Sequence, residues 1–235
     1  MKSNLQVNTS LFKAEPTGSN YLVSGMVVYH PLLEPGVYQG TITKDETAAG
    51  DFTIVCESAS AETQANIDLY LIDTSLAANA GQQPFSFTIR PGGYAVLYSS
   101  FGEGKYTVAL RSEKTDYSTA KLQKGDLLML LLMKPGTYQV EGNNHQTCSV
   151  YTRELTNSPE DIEALNQTVN VVLGEQVFDP AEVNLIQGQG LVIHFDVNGE
   201  VNIDLIEAKA VQDSFVQEIR TKHAWENPKY KYKQS

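Results

Sequence analysis

Short stretches rich in β-branched and aromatic residues recur along almost the whole chain of 235 residues, separated by glycine, proline, asparagine or aspartate. A spacing of roughly 8–15 residues between such stretches is typical of an all-β sandwich or barrel. The composition suits a folded chain, because 41 % of the residues are hydrophobic and 19 % are charged. The predicted strands are 21–30, 51–57, 66–73, 85–90, 94–100, 105–111, 126–133, 137–142, 147–155, 168–173, 182–186, 191–197 and 200–208.

Helical signals are scarce, and they predict short helices only near 158–167 and 213–224. In the first of these segments Ser158 is a suitable cap, and Pro159 suits the first helical position. Acidic residues follow in the first turn, where their negative charge interacts favourably with the helix dipole.

Two phrases repeat along the chain and predict two similar β units. Pro-Gly-x-Tyr occurs at 35–38, 91–94 and 135–138, and Asn-Ile-Asp-Leu occurs at 66–69 and 202–205. Pro-Gly favours a tight turn, after which the tyrosine is expected to begin a strand, with its ring on the sheet and its hydroxyl near water. The polar stretch 111–125 separates the two units.

The predicted architecture is therefore two tandem β-sandwich units of jelly-roll or cupredoxin-like type. The expected boundaries are 1–115 and 125–212, followed by a tail at 213–235. One large jelly roll of two sheets is the alternative.

One hairpin can be predicted residue by residue around Asn198-Gly199. A two-residue loop would mix apolar with polar side chains on both faces, whereas a three-residue loop pairs Phe195 with Val201 and Ile193 with Ile203. The second register places the apolar side chains on one face, so it is the predicted one. In this register His194 faces outward, beside Asn202.

Two phrases in the second half resemble the cupredoxin β-sandwich family. The stretch VFDPAEVNLIQGQGLVIHFDVN at 177–198 is similar to that family's opening strands, and KPGTYQV at 134–140 is similar to the phrase before its last strand. The resemblance covers about a quarter of the chain and implies a β-sandwich. The order of the phrases departs from one cupredoxin domain, and Cys148 is followed by SVYTREL, without a nearby His or Met. The resemblance therefore carries no copper ligand to this chain.

His145 and Cys148 stand at a spacing that could share one metal or form a nucleophilic pair. A structural zinc site needs four ligands and a catalytic one needs three, and the sequence shows no matching second pair. The favoured interpretation is a polar hairpin connection in which Asn143-Asn144 adopt turn conformations. We therefore predict no cofactor, no metal and no catalytic residue.

The charge is strongly asymmetric along the chain. The formal net charge is −11, yet 214–235 carries five basic residues against two acidic ones, a charge of +3 that leaves −14 on the rest. An acidic body repels phosphate backbones, so no nucleic-acid partner is expected. The basic tail is expected to dock on a neighbouring copy. Its predicted interaction residues are Trp225, Lys229, Tyr230, Lys231, Tyr232 and Lys233.

The remaining predictions concern compartment and function. The N-terminal residues lack the apolar run of a signal peptide, and the longest apolar run, Leu127–Met133, has the length of a strand. These features predict a cytoplasmic protein without membrane attachment. The function predicted is that of a non-enzymatic, self-assembling structural or scaffold component, a homo-oligomer that acts through its surfaces. A module for carbohydrate or another ligand, using exposed tyrosines, is the alternative, and a metal or thiol site at His145 and Cys148 is the third hypothesis.

Overall fold

The computed structural model describes residues 17–76, 84–101, 103–156 and 158–208, and these residues form an all-β fold, as predicted. Two short helices, α1 (Leu69–Ile72) and α2 (Pro159–Leu165), accompany the strands. The strands are β1 (Thr17–Gly18), β2 (Met26–Leu32), β3 (Gly36–Lys44), β4 (Thr47–Cys56), β5 (Gln64–Asp68), β6 (Phe85–Ile89), β7 (Gly93–Tyr98), β8 (Tyr106–Arg111), β9 (Asp116–Ser118), β10 (Leu127–Leu131), β11 (Gly136–Gly142), β12 (Thr147–Arg153), β13 (Val169–Leu173), β14 (Phe178–Asp179), β15 (Glu182–Ile186), β16 (Gly190–Phe195) and β17 (Val201–Ala208).

The strands form three sheets around one hydrophobic core. The central sheet has the order β14-β13-β16-β10-β2-β7-β5. The first outer sheet has the order β6-β4-β3-β8-β9, and the second outer sheet has the order β1-β17-β11-β12-β15. The core holds the buried side chains of all three sheets, for example Val28, Leu110 and Val150.

The two halves of the chain repeat the same strand pairings. In each half a parallel pair lies at one side of an outer sheet, β4 with β6 and β12 with β15. A second parallel pair lies in the central sheet, β5 with β7 and β13 with β16. The halves meet where β2 pairs antiparallel with β10, so a local two-fold axis passes between these strands. The central sheet is thus shared by both halves, and the domain boundaries at 115 and 125 stay a prediction.

The Pro-Gly-x-Tyr phrase marks the structural repeat. Tyr38 in β3 donates its hydroxyl hydrogen to the carbonyl of Glu34 at 2.8 Å, and Tyr138 in β11 does the same to Lys134 at 2.9 Å. Both tyrosines belong to the strands predicted for them, but both are buried, so the expectation of hydroxyls near water was wrong for this pair. The hydroxyl of each is satisfied by the chain's own turn instead of by solvent.

The Asn-Ile-Asp-Leu phrase does not mark equivalent positions. Its first copy ends β5 and enters α1, whereas its second copy lies inside β17 of the second outer sheet. The strand predicted over 66–73 is therefore wrong at its end, because Asp68 caps one helical turn by accepting a hydrogen bond from the Tyr70 amide at 3.1 Å. An aspartate before a short apolar run favours such a turn.

The hairpin predicted around Gly199 is also wrong. β16 lies in the central sheet and β17 lies in the second outer sheet, where β17 pairs with β1 and β11. The prediction of which side chains face the core was correct, since Phe195, Val201 and Ile203 are all buried. Their apolar faces meet across the core between sheets, an arrangement that satisfies the same alternation as a hairpin.

The helix predicted near 158–167 is confirmed as α2. Ser158 caps it and accepts a hydrogen bond from the Asp161 amide at 3.1 Å. The second predicted helix, near 213–224, lies outside the described residues.

Candidate interaction surface

The two outer sheets present polar side chains to the outside. In the first outer sheet one cross-strand row reads Ser86, Thr53, Gln39, Arg111 and Asp116. The matching row of the second outer sheet reads Glu182, Ser149, Gln139 and Asp204. Both rows follow the usual alternation of a sheet that faces the core on one side and water on the other.

The central sheet does not follow this rule on its outward side. Two neighbouring rows of the side chains that point away from the core make up what we call the outer face. Row one reads Asn170, Val192, Met129, Val27, Tyr98 and Asp68. Row two reads Asp179, Val172, His194, Leu127, Tyr29, Val96 and Asn66.

The middle of the outer face is apolar and partly accessible. Val192, Met129, Val27 and Leu127 are each partly exposed, although each lies in the interior of a seven-stranded sheet. Among the described residues neither helix covers them, since α1 lies against β4 and α2 lies against β15. Contiguous apolar surface of this kind marks interaction sites on proteins.

The local two-fold axis also relates the two rows of the outer face. It exchanges Val27 with Leu127, Val192 with Val96 and Asn170 with Asn66. The axis also exchanges Met129 with Tyr29 and Tyr98 with His194, so the two rows share an apolar centre and an amide at each matching end but differ at these positions.

The rim of the outer face is acidic. Asp179 ends row two and Asp196 follows β16 directly, and both are exposed. Asp68 ends row one, but it is buried and accepts hydrogen bonds from the amides of Tyr70 and Ser100. Neither row contains a lysine or an arginine. His194 lies within row two, with its Nε2 3.0 Å from the Asn170 side-chain oxygen. It faces outward as predicted, but beside Asn170 instead of Asn202.

A sequence signal for the outer face existed in the apolar run Leu127–Met133. A strand that alternates between core and water cannot be apolar at every position, whereas a strand covered on both faces can. The run predicts a strand and is too short for a membrane span, but its length alone does not indicate a second covered face. Its loss of alternation is the feature that indicates a second covered face.

The structure separates His145 from Cys148. The β11–β12 pairing makes this segment the polar tip of a strand pair, which confirms the favoured interpretation. The His145 side chain is 91 % exposed, and its Nδ1 lies 2.8 Å from a Glu141 carboxylate oxygen. Cys148 is buried, with its sulfur 3.5 Å from the carbonyl oxygen of Pro180. Burial, aided by the Glu182 carboxylate, raises the pKa of the Cys148 thiol to about 11.

We expect Cys148 to resist thiol reagents in the folded protein. With a pKa of about 11, on the order of one thiol in ten thousand is ionised at pH 7, and reagents need the thiolate. Burial also raises the pKa of Cys56. Labelling followed by mass spectrometry should show modification only as fast as the chain unfolds.

A Thr147→Cys variant supplies the control, because Thr147 is the exposed neighbour of Cys148 on the same strand. Rapid labelling at position 147 with slow labelling at 148 is expected. Equally fast labelling of Cys148 in the native chain would contradict the buried thiol.

Among the buried polar groups of the described chain, the carboxylates of Asp126 and Asp73 are both fully buried and engaged by neighbouring groups. Asp126 lies 2.7 Å from His30 Nδ1 and accepts a hydrogen bond from the Gln123 amide. Asp73 accepts hydrogen bonds from Lys44 and Tyr106. No group of three or more His, Cys, Asp or Glu side chains able to hold a metal ion occurs within the described ranges.

The exposed tyrosines do not gather at one place. Tyr94 belongs to the central sheet, whereas Tyr151 belongs to the second outer sheet. Tyr151 lines a shallow depression of about 430 Å³ together with Arg153 and Asn184. The predicted interaction residues Trp225, Lys229, Tyr230, Lys231, Tyr232 and Lys233 lie outside the described residues.

Comparison with known proteins finds no match among family models, curated proteins or solved structures. The cupredoxin resemblance therefore stays a prediction. Within the described ranges, no helix has the length and apolar character needed to cross a membrane.

Proposed function

We propose that this protein is a non-enzymatic, self-assembling structural or scaffold component that uses the outer face of the central sheet as its contact surface. One observation carries the proposal. Three sheets surround one core, and the outward sides of two are polar, whereas the outward side of the third is apolar. Water solvates the first two, and the third is stabilised by a partner.

The size and layout of the outer face support this use. Six paired strands about 4.8 Å apart and two rows of side chains give the outer face, with its polar ends, an area on the order of 400 Å². Its apolar centre is a contiguous patch rimmed by polar residues, which is typical of interaction sites. An apolar centre with a polar rim is also the usual layout of a protein interface.

Two further features favour a surface function over catalysis. The carboxylates of Asp126 and Asp73 are buried and engaged by neighbouring side chains and amides, which suits structural roles. The raised pKa of the Cys148 thiol keeps it protonated at neutral pH. We further propose that each half of the chain corresponds to one sandwich unit, and that the two units join side by side through β2 and β10.

Light scattering of the full chain tests self-assembly. We expect a mass at least twice the 25.9 kDa of one chain at micromolar concentration, falling on dilution. A Met129→Lys variant should weaken association by at least about thirtyfold, or 2 kcal/mol, because a charge would be buried at the centre of the contact.

Thr41→Lys is the matched control, since Thr41 is exposed on the outward side of the first outer sheet. It should leave the mass unchanged. Circular dichroism and the thermal transition of each variant show whether a lower mass reflects loss of the contact between copies or misfolding. Leu127→Lys, a second substitution in the outer face, should also weaken association. A native chain that keeps the mass of one copy at every concentration would refute the proposal.

A further inference from the structure

We propose that the occupant of the outer face is the C-terminal segment 213–235 of a neighbouring copy. This inference rests on the self-assembly proposed above and names the part of the partner that makes the contact. The segment lies outside the described residues.

Charge complementarity favours this occupant. The outer face has exposed aspartates at its rim, Asp179 and Asp196, and neither of its rows contains a lysine or an arginine. The segment 213–235 carries five basic and three acidic residues, a charge of +2, whereas the remaining chain carries −13. A second outer face packed against the first would instead bring like charges together, which opposes association.

The apolar content of the segment suits the centre of the outer face. It includes Phe215, Ile219 and Trp225, followed by an alternation of lysine and tyrosine from Lys229 to Lys233. In an extended chain Tyr230 and Tyr232 project on one side and the lysines on the other. Such a strip can place its rings on Val27 and Met129, with the lysines on its other side, and aromatic residues are enriched in interface contacts.

The last described residue lies on the other side of the central sheet from the outer face. Ala208 ends β17, which belongs to the second outer sheet, on the core side of the central sheet. Residues 209–224, which precede Trp225, can span about 55 Å, so the length of the chain does not select between its own outer face and that of another copy. Docking on a neighbouring copy follows from the self-assembly proposed above.

The chain contains its own probe, because Trp225 is its only tryptophan. The intrinsic emission of the full chain should lie at the short wavelengths of a buried indole at concentrations where light scattering shows assembly. On dilution the emission should move to that of solvated tryptophan, in step with the fall in mass. Met129→Lys should produce the solvated emission at all concentrations, and Thr41→Lys should not.

Charge reversal in the segment tests whether electrostatic attraction contributes to its docking on the outer face. A variant with Lys229→Glu, Lys231→Glu and Lys233→Glu should release Trp225 and lower the mass, and added salt should act in the same direction on the native chain. A Gln234→Glu variant is the control, since it places one acid of nearly the same size beside the lysines without removing them. It should weaken assembly much less than the triple reversal.

The outcomes separate this inference from the proposed function. If Met129→Lys abolishes assembly while Trp225 is solvated in every sample, self-assembly through the outer face stands and the segment is not its occupant. If the emission of Trp225 is that of a buried indole at every dilution, the segment docks on its own copy and the inference is wrong. If the native chain never exceeds the mass of one copy, self-assembly itself is refuted.

Discussion

Replacing Asp126 with alanine is expected to lower the free energy of unfolding by about 3 kcal/mol, enough to threaten a domain of ordinary stability. Asp126 is fully buried between β9 and β10, where one carboxylate oxygen lies 2.7 Å from His30 Nδ1. The other oxygen accepts a hydrogen bond from the Gln123 amide at 2.7 Å. Removal of the carboxylate leaves a buried imidazole and a buried amide without this partner, which costs more than the loss of the hydrogen bonds alone.

The position of Asp126 makes the effect larger than its contacts suggest. His30 lies in β2 of the first half, and its ring stacks on Tyr117 at 3.6 Å between ring centres. Asp126 directly precedes β10, the strand through which the second half pairs with the first. Burial and the adjacent Asp126 carboxylate also raise the pKa of Tyr117 well above its usual value, so this tyrosine stays neutral.

Urea unfolding measured at neutral pH tests this prediction, with Asp204→Ala as the control. Asp204 is exposed in β17, so its removal should change stability by less than about 0.5 kcal/mol. An Asp126→Asn variant should fall between the two, because an amide keeps an acceptor for Gln123. Similar stabilities for Asp126→Ala and Asp204→Ala would show that the cluster does not stabilise the junction.

Replacing Asp73 with alanine in the native chain is expected to lower the free energy of unfolding by about 3–5 kcal/mol. Asp73 is fully buried after α1 and accepts hydrogen bonds from Lys44 Nζ at 3.0 Å and from the Tyr106 hydroxyl at 2.9 Å. It also accepts a hydrogen bond from the Ser75 amide at 3.0 Å. The alanine variant leaves the Lys44 ammonium and the buried Tyr106 hydroxyl without this acceptor.

The same cluster predicts a dependence of stability on pH. Burial by itself raises the pKa of Asp73, but hydrogen bonds from Ser75, Lys44 and Tyr106 together outweigh it and lower the pKa below the ordinary carboxyl value. A carboxyl group whose pKa is lower in the folded state stabilises the fold above its unfolded pKa. That stabilisation is lost as the pH falls through the folded pKa.

Unfolding measured from neutral pH into the acid range tests both statements. In Asp73→Asn the acid loss of stability should be smaller than in the native chain, because the titrating group is gone. Asp51→Ala is the control, since Asp51 is exposed in β4 and should leave the pH profile unchanged. An identical acid profile for the native chain and Asp73→Asn would contradict the assigned pKa shift.

The candidate surface could be predicted only in part from the sequence. The loss of alternation in Leu127–Met133 is visible in the chain, and it indicates a strand with two apolar faces. Nothing local reveals that Val192, Met129, Val27 and Tyr98 form one row, because they come from four strands spread over the whole chain. The acidic rim is likewise assembled from two different strand ends, Asp179 in β14 and Asp196 after β16.

By itself the sequence determined where most strands lie, which side chains of each strand are buried, and where α2 begins. These properties depend on neighbours in the chain, since alternation, turn residues and a capping serine act over a few positions. The tertiary structure alone decided that β16 and β17 belong to different sheets and that both halves share the central sheet. Backbone hydrogen bonds are chemically alike in every strand, so the choice of partner follows from how distant apolar faces close one core. That choice leaves the outer face uncovered by the helices and strands of the described residues.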